Sequence, residues 1–222
     1  MGFSFDQRKD VARQVRAIAS DQIDAAIQAA QGDGDFHKTI HRLRRRCKKV
    51  RGLLRLVRPN FQQFDIENAA IRDAAKTLSV ARDAAVLIET FDQLLAETPE
   101  LDLPRDRLRS LRAALELNAA AIAAGQDRQL LFSQFALAMS TIRNRLDDWK
   151  LKGDGFDLIE PGLAATYSKM RKSMRVAKLE RTALAFHEWR RDAKYHGFQV
   201  SLLRSSAPAV LGGRKASLSQ LG

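Results

Sequence analysis

The sequence predicts an all-α protein, on two observations. Its 12 glycines and 5 prolines in 222 residues are few and fall mostly between long periodic stretches. Inside those stretches apolar residues recur at alternating steps of three and four, the period of one helix face. Phe36, Ile40, Leu43, Cys47, Val50, Leu54 and Val57 show this most clearly.

In chain order, a first helix is expected from about Asp6 to Ala30, with Ser4 as its cap and Val11, Val15, Ile18 and Ile27 on its apolar side. The turn QGDGD (31–35) follows, with Asp35 placed to cap the next helix. That second helix ends at Pro59. A third is expected from about Asp65 to Leu95, with Ile71, Leu78, Leu87, Phe91 and Leu94 inward, and the loop ETPELDLP (97–104) closes it. A fourth, alanine-rich helix runs from Arg105 to about Ala124, with Leu108, Leu111, Leu115 and Ile122 inward. A fifth carries Phe132, Phe135, Met139, Ile142, Leu146 and Trp149, a bundle seam. KGDGFDLIEPG (152–162) is the clearest break. The junction between halves is placed between Gly125 and Gly162, dividing the chain into residues 1–125 and 126–222. A sixth helix runs from Leu163 to about Ala177 and a seventh from about Thr182 to Arg204, ended by Pro208 and the Gly212–Gly213 pair. SLSQLG (217–222) looks like the opening of an eighth.

The charge is concentrated. The chain carries 38 Lys/Arg against 26 Asp/Glu, a formal +12. Residues 37–58 hold ten cations and no acid, residues 169–196 hold nine cations and three acids, and residues 59–168 are net acidic. In the second helix, each apolar stripe position is followed by His37, His41, Arg44, Lys48, Arg51, Arg55 and Arg58 in turn. This second stripe lies about 100° round the helix from the first. Like charges at these spacings destabilise a helix by roughly 0.2–0.5 kcal/mol per pair. A solvated face usually mixes signs; this one does not, so a polyanion is the partner to test.

Several classes are excluded or demoted. Aromatics make up only 7% of the residues, too few for a base-stacking platform. The single Cys47 sits on an apolar stripe, so it reads as a buried hydrophobe, and one cysteine gives no intrachain disulfide. The N-terminus has no apolar signal core, and no apolar run approaches ~18 residues. The expectation is a cytoplasmic protein.

The seventh helix repeats the second. Phe186, Trp189, Ala193, His196, Val200 and Leu203 are its apolar stripe, and an offset of 146 carries His41 onto His187, Arg44 onto Arg190, Arg45 onto Arg191 and Lys48 onto Lys194. Gly197 and Ser201 replace Arg51 and Arg55, which reads as a weaker second row. Two copies point to duplicated halves presenting two cation rows to one long ligand. Arg offers a fork of donors to phosphoryl oxygens and Lys a point charge. His37 and His196 read as structural; His41 and His187 read as functional.

The segments IHRLRRRCKKVRGLLRLVRP (40–59), LSVARDAAVL (78–87), PGLAATYSKMRKSM (161–174) and FHEWRRDAKYHGFQVSLL (186–203) resemble the CHAD family, the conserved histidine α-helical domain. The resemblance implies two four-helix bundles related by a pseudo-twofold. It also implies a basic surface that binds inorganic polyphosphate, with recruitment to polyphosphate granules as a further expectation. It carries the binding role to His41, Arg44, Lys48, Lys49, Arg51, Arg55, Arg82, Arg171, His187, Arg190, Arg191 and Lys194, with Tyr167 also matching, and the repeat adds Arg45 to the candidate site. Asp83 is expected to pair with a cation. The counterpart of Leu78–Asp83 would fall near positions 224–229, so the second bundle is expected to lack its equivalent of the third helix. The Val200/Leu203 seam would then be exposed, and a homodimer could cover it.

The rival reading is a non-specific nucleic-acid-binding bundle, since basic charge and salt dependence would look the same. The basic helix, however, holds only Thr39 among the small polar side chains that read base edges. No enzyme is expected: the basic stripes lack the acids that hold Mg²⁺ for phosphoryl transfer. No catalytic residue, metal site or cofactor is expected. No membrane partner is expected, and a membrane-surface role for the second helix is discounted because its apolar stripe is committed to a core.

Overall fold

The computed structural model describes residues 3–98, 104–125 and 128–221, leaving out the side chains of 79–85 and 122–125. The described residues form nine α-helices: α1 (Val11–Gln31), α2 (Phe36–Val57), α3 (Phe64–Thr77), α4 (Ser79–Glu97), α5 (Arg105–Gly125), α6 (Arg128–Arg143), α7 (Glu160–Glu180), α8 (Ala183–Leu203) and α9 (Pro208–Gln220). The protein is all-α. Among the described residues the sole β pairing is one bridge, Phe61 to Leu151.

The helix starts follow their caps. Asp35 accepts a hydrogen bond from the Lys38 N–H at 2.8 Å, as the sequence predicts. Ser4 does not cap α1; Asp10 does, accepting from the Arg13 N–H at 2.5 Å. Residues 3–5 instead lie against the end of α8: the Phe5 N–H donates to the Leu202 carbonyl at 2.8 Å, and the Phe5 side chain is buried. The expected third helix is broken at Leu78 into α3 and α4. Leu78 is fully buried, and the periodicity gives no sign of the break. The fifth-helix seam is also shorter as a helix than expected. α6 ends at Arg143, a 3₁₀ turn carries Leu146, and Trp149 follows in extended backbone, still buried against Phe61 at 5.0 Å between ring centroids.

The main core joins α1, α2, α3 and α6 and runs on through Trp149, Leu158 and Ile159. Helix α6, which follows the expected division at 125/126, packs on α1 and α3, so the core of the first half is not closed at residue 125. A smaller cluster, Met170, Ala193, Val200 and Leu218, joins α7, α8 and α9. The hairpin of α4 and α5 packs chiefly on itself. Leu87, Leu94 and Leu111, expected to face inward, are each about half exposed there. Ile122 lies outside the described side chains.

The internal repeat extends to three helices. The offset of 146 carries Phe64, the first residue of α3, onto Val210 in α9. The second half therefore does contain an equivalent of the early third helix. Pro208 opens that helix at its first turn, where its missing N–H costs nothing, and Gly212 and Gly213 lie within it. The Val200/Leu203 seam is covered: Val200 is 2% and Leu203 8% exposed.

Two glycines set the close contacts around α2. Helices α2 and α8 pack directly, and at their contact Gly52 meets its own counterpart, Phe198. A Cβ on Gly52 would lie 3.0 Å from the Phe198 Cβ. At Gly162, near the start of α7, a Cβ would lie 1.9 Å from the Leu56 carbonyl oxygen at the end of α2. No side chain fits there without moving a helix.

Candidate anion-binding groove

A groove of about 600 Å³ opens between the first half of α2 and the second half of α8, with α9 along one side. Helix α2 supplies His41, Arg44, Arg45, Lys48 and Lys49. Helix α8 supplies Lys194, Gly197, Phe198 and Ser201; Arg204 follows it, and α9 adds Lys215, Leu218 and Ser219. Phe3 and Ser4 complete the wall. The lining therefore holds seven Lys or Arg side chains and one histidine, and no carboxylate.

The packing explains why these side chains face the groove. From Ile40 onward the apolar stripe of α2 is buried, with Ile40, Leu43, Cys47, Val50 and Leu54 at 1% exposure or less. That fixes the rotation of α2 and turns the adjoining cation row toward α8. Burial pushes the Cys47 thiol up to about 12, so it is a packing residue and not a nucleophile. Arg44 donates to the Ala75 carbonyl of α3 at 3.0 Å, which steadies its guanidinium. Lys49 stands 4.7 Å from the centre of the Phe3 ring. Burial lowers its pKa, and the neighbouring Arg45, Arg46 and Lys215 cations lower it further. An anion in the groove would oppose those charges and favour the protonated amine.

Six of the thirteen residues named from sequence line this groove: His41, Arg44, Arg45, Lys48, Lys49 and Lys194. Arg51 and Arg55 do not. They turn toward α3 and α8, where both donate to the Asn68 Oδ1 (3.0 and 3.2 Å) and Arg55 lies 3.9 Å above the Tyr195 ring. Burial lowers the pKa of Arg55, and the Arg51, Arg58 and Arg191 charges add to that. His187 and Arg190 are exposed on α8 outside the groove. Arg191 binds Glu188 with both terminal nitrogens and lies 3.7 Å from the buried Asp192. Arg171 stands over the Tyr167 ring at 5.8 Å. Arg82 and Asp83 fall outside the described side chains.

The two repeats thus use equal positions differently. Gly197 and Ser201 line the groove, whereas their counterparts Arg51 and Arg55 fold onto Tyr195. What reads from sequence as a weakened row is the space into which the α2 cations point. Lys215, Arg204, Phe3 and Ser4 are additions from the structure. Lys215 has no cation at the matching place in the first repeat, and it is visible only once residues 208–220 are known to be helical.

A second cavity, about 410 Å³, lies between α7, α8 and α9 and is walled by Phe156, Leu163, Val200, Leu203 and Leu211. His196 lines it and accepts hydrogen bonds from Arg214 at 3.2–3.3 Å. The structural reading of His196 fits that place. Tyr167 lines this cavity and not the basic groove. Among the described residues, no group of three or more His, Cys, Asp or Glu side chains could hold a metal ion.

Comparison with known proteins bears on the whole chain. A family model described as CHAD domain matches residues 17–221. Among solved structures, the crystal structure of the CHAD domain from the plant Ricinus communis is similar, with a TM-score of 0.60 at 18% identity, covering 99% of this chain and 76% of that one. At that identity the likeness speaks for the fold. No curated protein sequence matches the chain.

Proposed function

Because this chain belongs to the CHAD domain family, we propose that it binds inorganic polyphosphate in the α2–α8 groove. The observation that carries this reading is the lining: seven Lys or Arg side chains and His41 converge with no carboxylate among them. A groove lined by cations and by no carboxylate favours an anion of high charge density, and forked guanidiniums suit phosphoryl oxygens. The ligand should be a single flexible chain. Duplex nucleic acid carries its phosphates on the outside of a wide cylinder and would meet only the rim of a concave groove. Beyond the groove, the exposed His187 and Arg190 on α8 offer further hydrogen-bond donors along the same helix, so a long chain can gain from both rows.

The reading is of a binding protein. The groove offers no carboxylate to hold Mg²⁺ or to take a proton from an attacking water. Association with polyphosphate granules would follow from the same chemistry. Non-specific nucleic-acid binding is the alternative.

The deciding experiment is competition for labelled long-chain polyphosphate at ~150 mM salt, where weak surface attraction is largely screened. Duplex DNA, single-stranded RNA and heparin are the competitors. Polyphosphate should win by at least about tenfold per charge, and Lys48→Glu with Lys194→Glu should lower its affinity by about a hundredfold, since each lost charged hydrogen bond is worth roughly 1.5–3 kcal/mol. Reversal of Arg105 and Arg107, exposed on α5, should change little. Equal competition by nucleic acid, or equal losses at the two pairs, would make the groove a generic polycation surface.

A further inference from the structure

The turn between α7 and α8 carries a surface that the groove does not use. Only Arg181 and Thr182 separate the two helices, and Arg181 holds the left-handed backbone (φ 52°) that reverses the chain. The end of α7 and the start of α8 therefore share one blunt tip. Leu179 is 85% and Leu184 73% exposed there, with Val176 at 37% behind them. On α7, Lys172, Arg175, Val176 and Leu179 stand at i, i+3, i+4 and i+7, a single face. Lys178 and Arg181 flank it. All four cations are exposed, and among the described residues none is paired with a carboxylate. Of the two acids near the tip, Glu188 is taken up by Arg191; Glu180 is the other.

The fold does not require this composition. Leu184 corresponds to Lys38 in the first repeat, and the turn between α1 and α2 reads Gly-Asp-Gly-Asp (32–35). The same corner is polar and acidic in one half, apolar and basic in the other. An exposed apolar group rimmed by cations marks an interaction surface. Its occupant is indicated by shape and charge together. The leucines stand out at a two-residue helix turn, 85% and 73% exposed, and line neither the basic groove nor the second cavity, so they suit entry into a soft, flat layer, and the flanking cations call for negative charge in that layer.

We propose that the α7–α8 tip docks peripherally on an anionic lipid bilayer. Leu179 and Leu184 enter the headgroup region, while Lys172, Arg175, Lys178 and Arg181 face lipid phosphates. No helix among the described residues is long and apolar enough to cross a membrane, so the contact stays at the surface. It also differs from a role for α2, whose apolar stripe is buried in the core. The proposal stands independently of polyphosphate binding.

The test is co-sedimentation of the full chain with phosphatidylcholine vesicles, with and without phosphatidylserine. Binding is expected only with phosphatidylserine. Leu179→Ser with Leu184→Ser should lower it at least about tenfold, because burying even one leucine in an apolar layer is worth that much. Lys172→Glu with Arg175→Glu should lower it similarly. The leucine pair is exposed, so its fold is expected to survive, checked by circular dichroism, and its polyphosphate binding should be unchanged. No binding to either vesicle overturns the proposal. So does undiminished binding of the leucine variant, which would assign the attraction to basic charge in general.

Discussion

At the scale of single residues, the surroundings of a side chain decide its role more than its type. Four histidines share this chain, and the two described in most detail illustrate the range. His41 lines the basic groove, whereas His196 is 4% exposed and faces the Arg214 guanidinium. Burial first, and then the Arg214 charge, push the His196 pKa down to about 4. The unfolded chain would take up a proton nearer pH 6.5, so between pH 6.5 and 4 it binds more protons than the folded one. Stability contributed by neutral His196 is thus fully present above about pH 6.5 and is lost as the pH falls toward 4. Allowing for partial solvent screening, about 2 kcal/mol is at stake. Urea midpoints at pH 7 and pH 4.5 should fall further for the wild type than for His196→Gln. Equal falls would assign the loss to carboxylates. Arg143 and Arg145 teach the same lesson. From sequence they are only cations outside the repeats, yet Arg143 is paired with Asp24, and Arg145 makes two hydrogen bonds, at 2.8 and 2.9 Å, to the buried Glu67. They are structural, and reversing them would test folding instead of binding.

At the scale of elements, the packing of α2 and α8 shows how a repeat becomes a site. Equal positions meet at Gly52 and Phe198, and on either side of that contact the two helices differ. One side is filled by Arg51 and Arg55 folded on Tyr195; the other is left open by Gly197 and Ser201. This separates shape from charge in an experiment. Gly197→Arg with Ser201→Arg restores the residues of the first repeat and adds two positive charges. A Cβ at 197 would meet only the Leu218 side chain, at an ordinary 3.6 Å, so the helix should tolerate the change while the long side chains occupy the groove. If the groove is a shaped site, polyphosphate affinity should fall about tenfold despite the added charge. If affinity rises instead, charge density alone governs binding. Titration at fixed salt decides between the two.

At the scale of the molecule, the groove draws on residues far apart in the chain. Phe3 and Ser4, the α2 cations, Lys194 and Lys215 come together only when both halves are folded and docked. A ligand that binds this arrangement and not the unfolded chain must stabilise the whole fold. At a ligand concentration of about 100 times Kd the gain is about 2.7 kcal/mol, or roughly 5–10 °C in Tm for a chain of this size. Calorimetry with long-chain polyphosphate at low salt should show that rise, and high salt should abolish it. An unchanged Tm under saturating polyphosphate would mean that it binds folded and unfolded chains alike, as a loose polycation would.

Much of this was legible in the residues themselves. The 3,4 steps of Phe36 to Val57 fixed both the helix and its buried face, because a helix has one period and a core admits only apolar side chains. Once that face is known, the position of every cation on α2 follows by rotation. The repeat at an offset of 146 was legible for the same reason. Three things were not. The break at Leu78 and the helix through Gly212 and Gly213 run against local signals, and tertiary contacts outweigh propensities of less than about 1 kcal/mol per residue. The fate of Arg51 and Arg55 depended on a neighbour in another helix, Tyr195. And whether Gly197 and Ser201 weaken a cation row or open a groove is a question about empty space. The sequence by itself determined the helices, their faces and the charge they carry, since these are properties of a chain's own period. Only the tertiary structure decided which cations share a cavity, because a cavity is defined by where helices fail to touch.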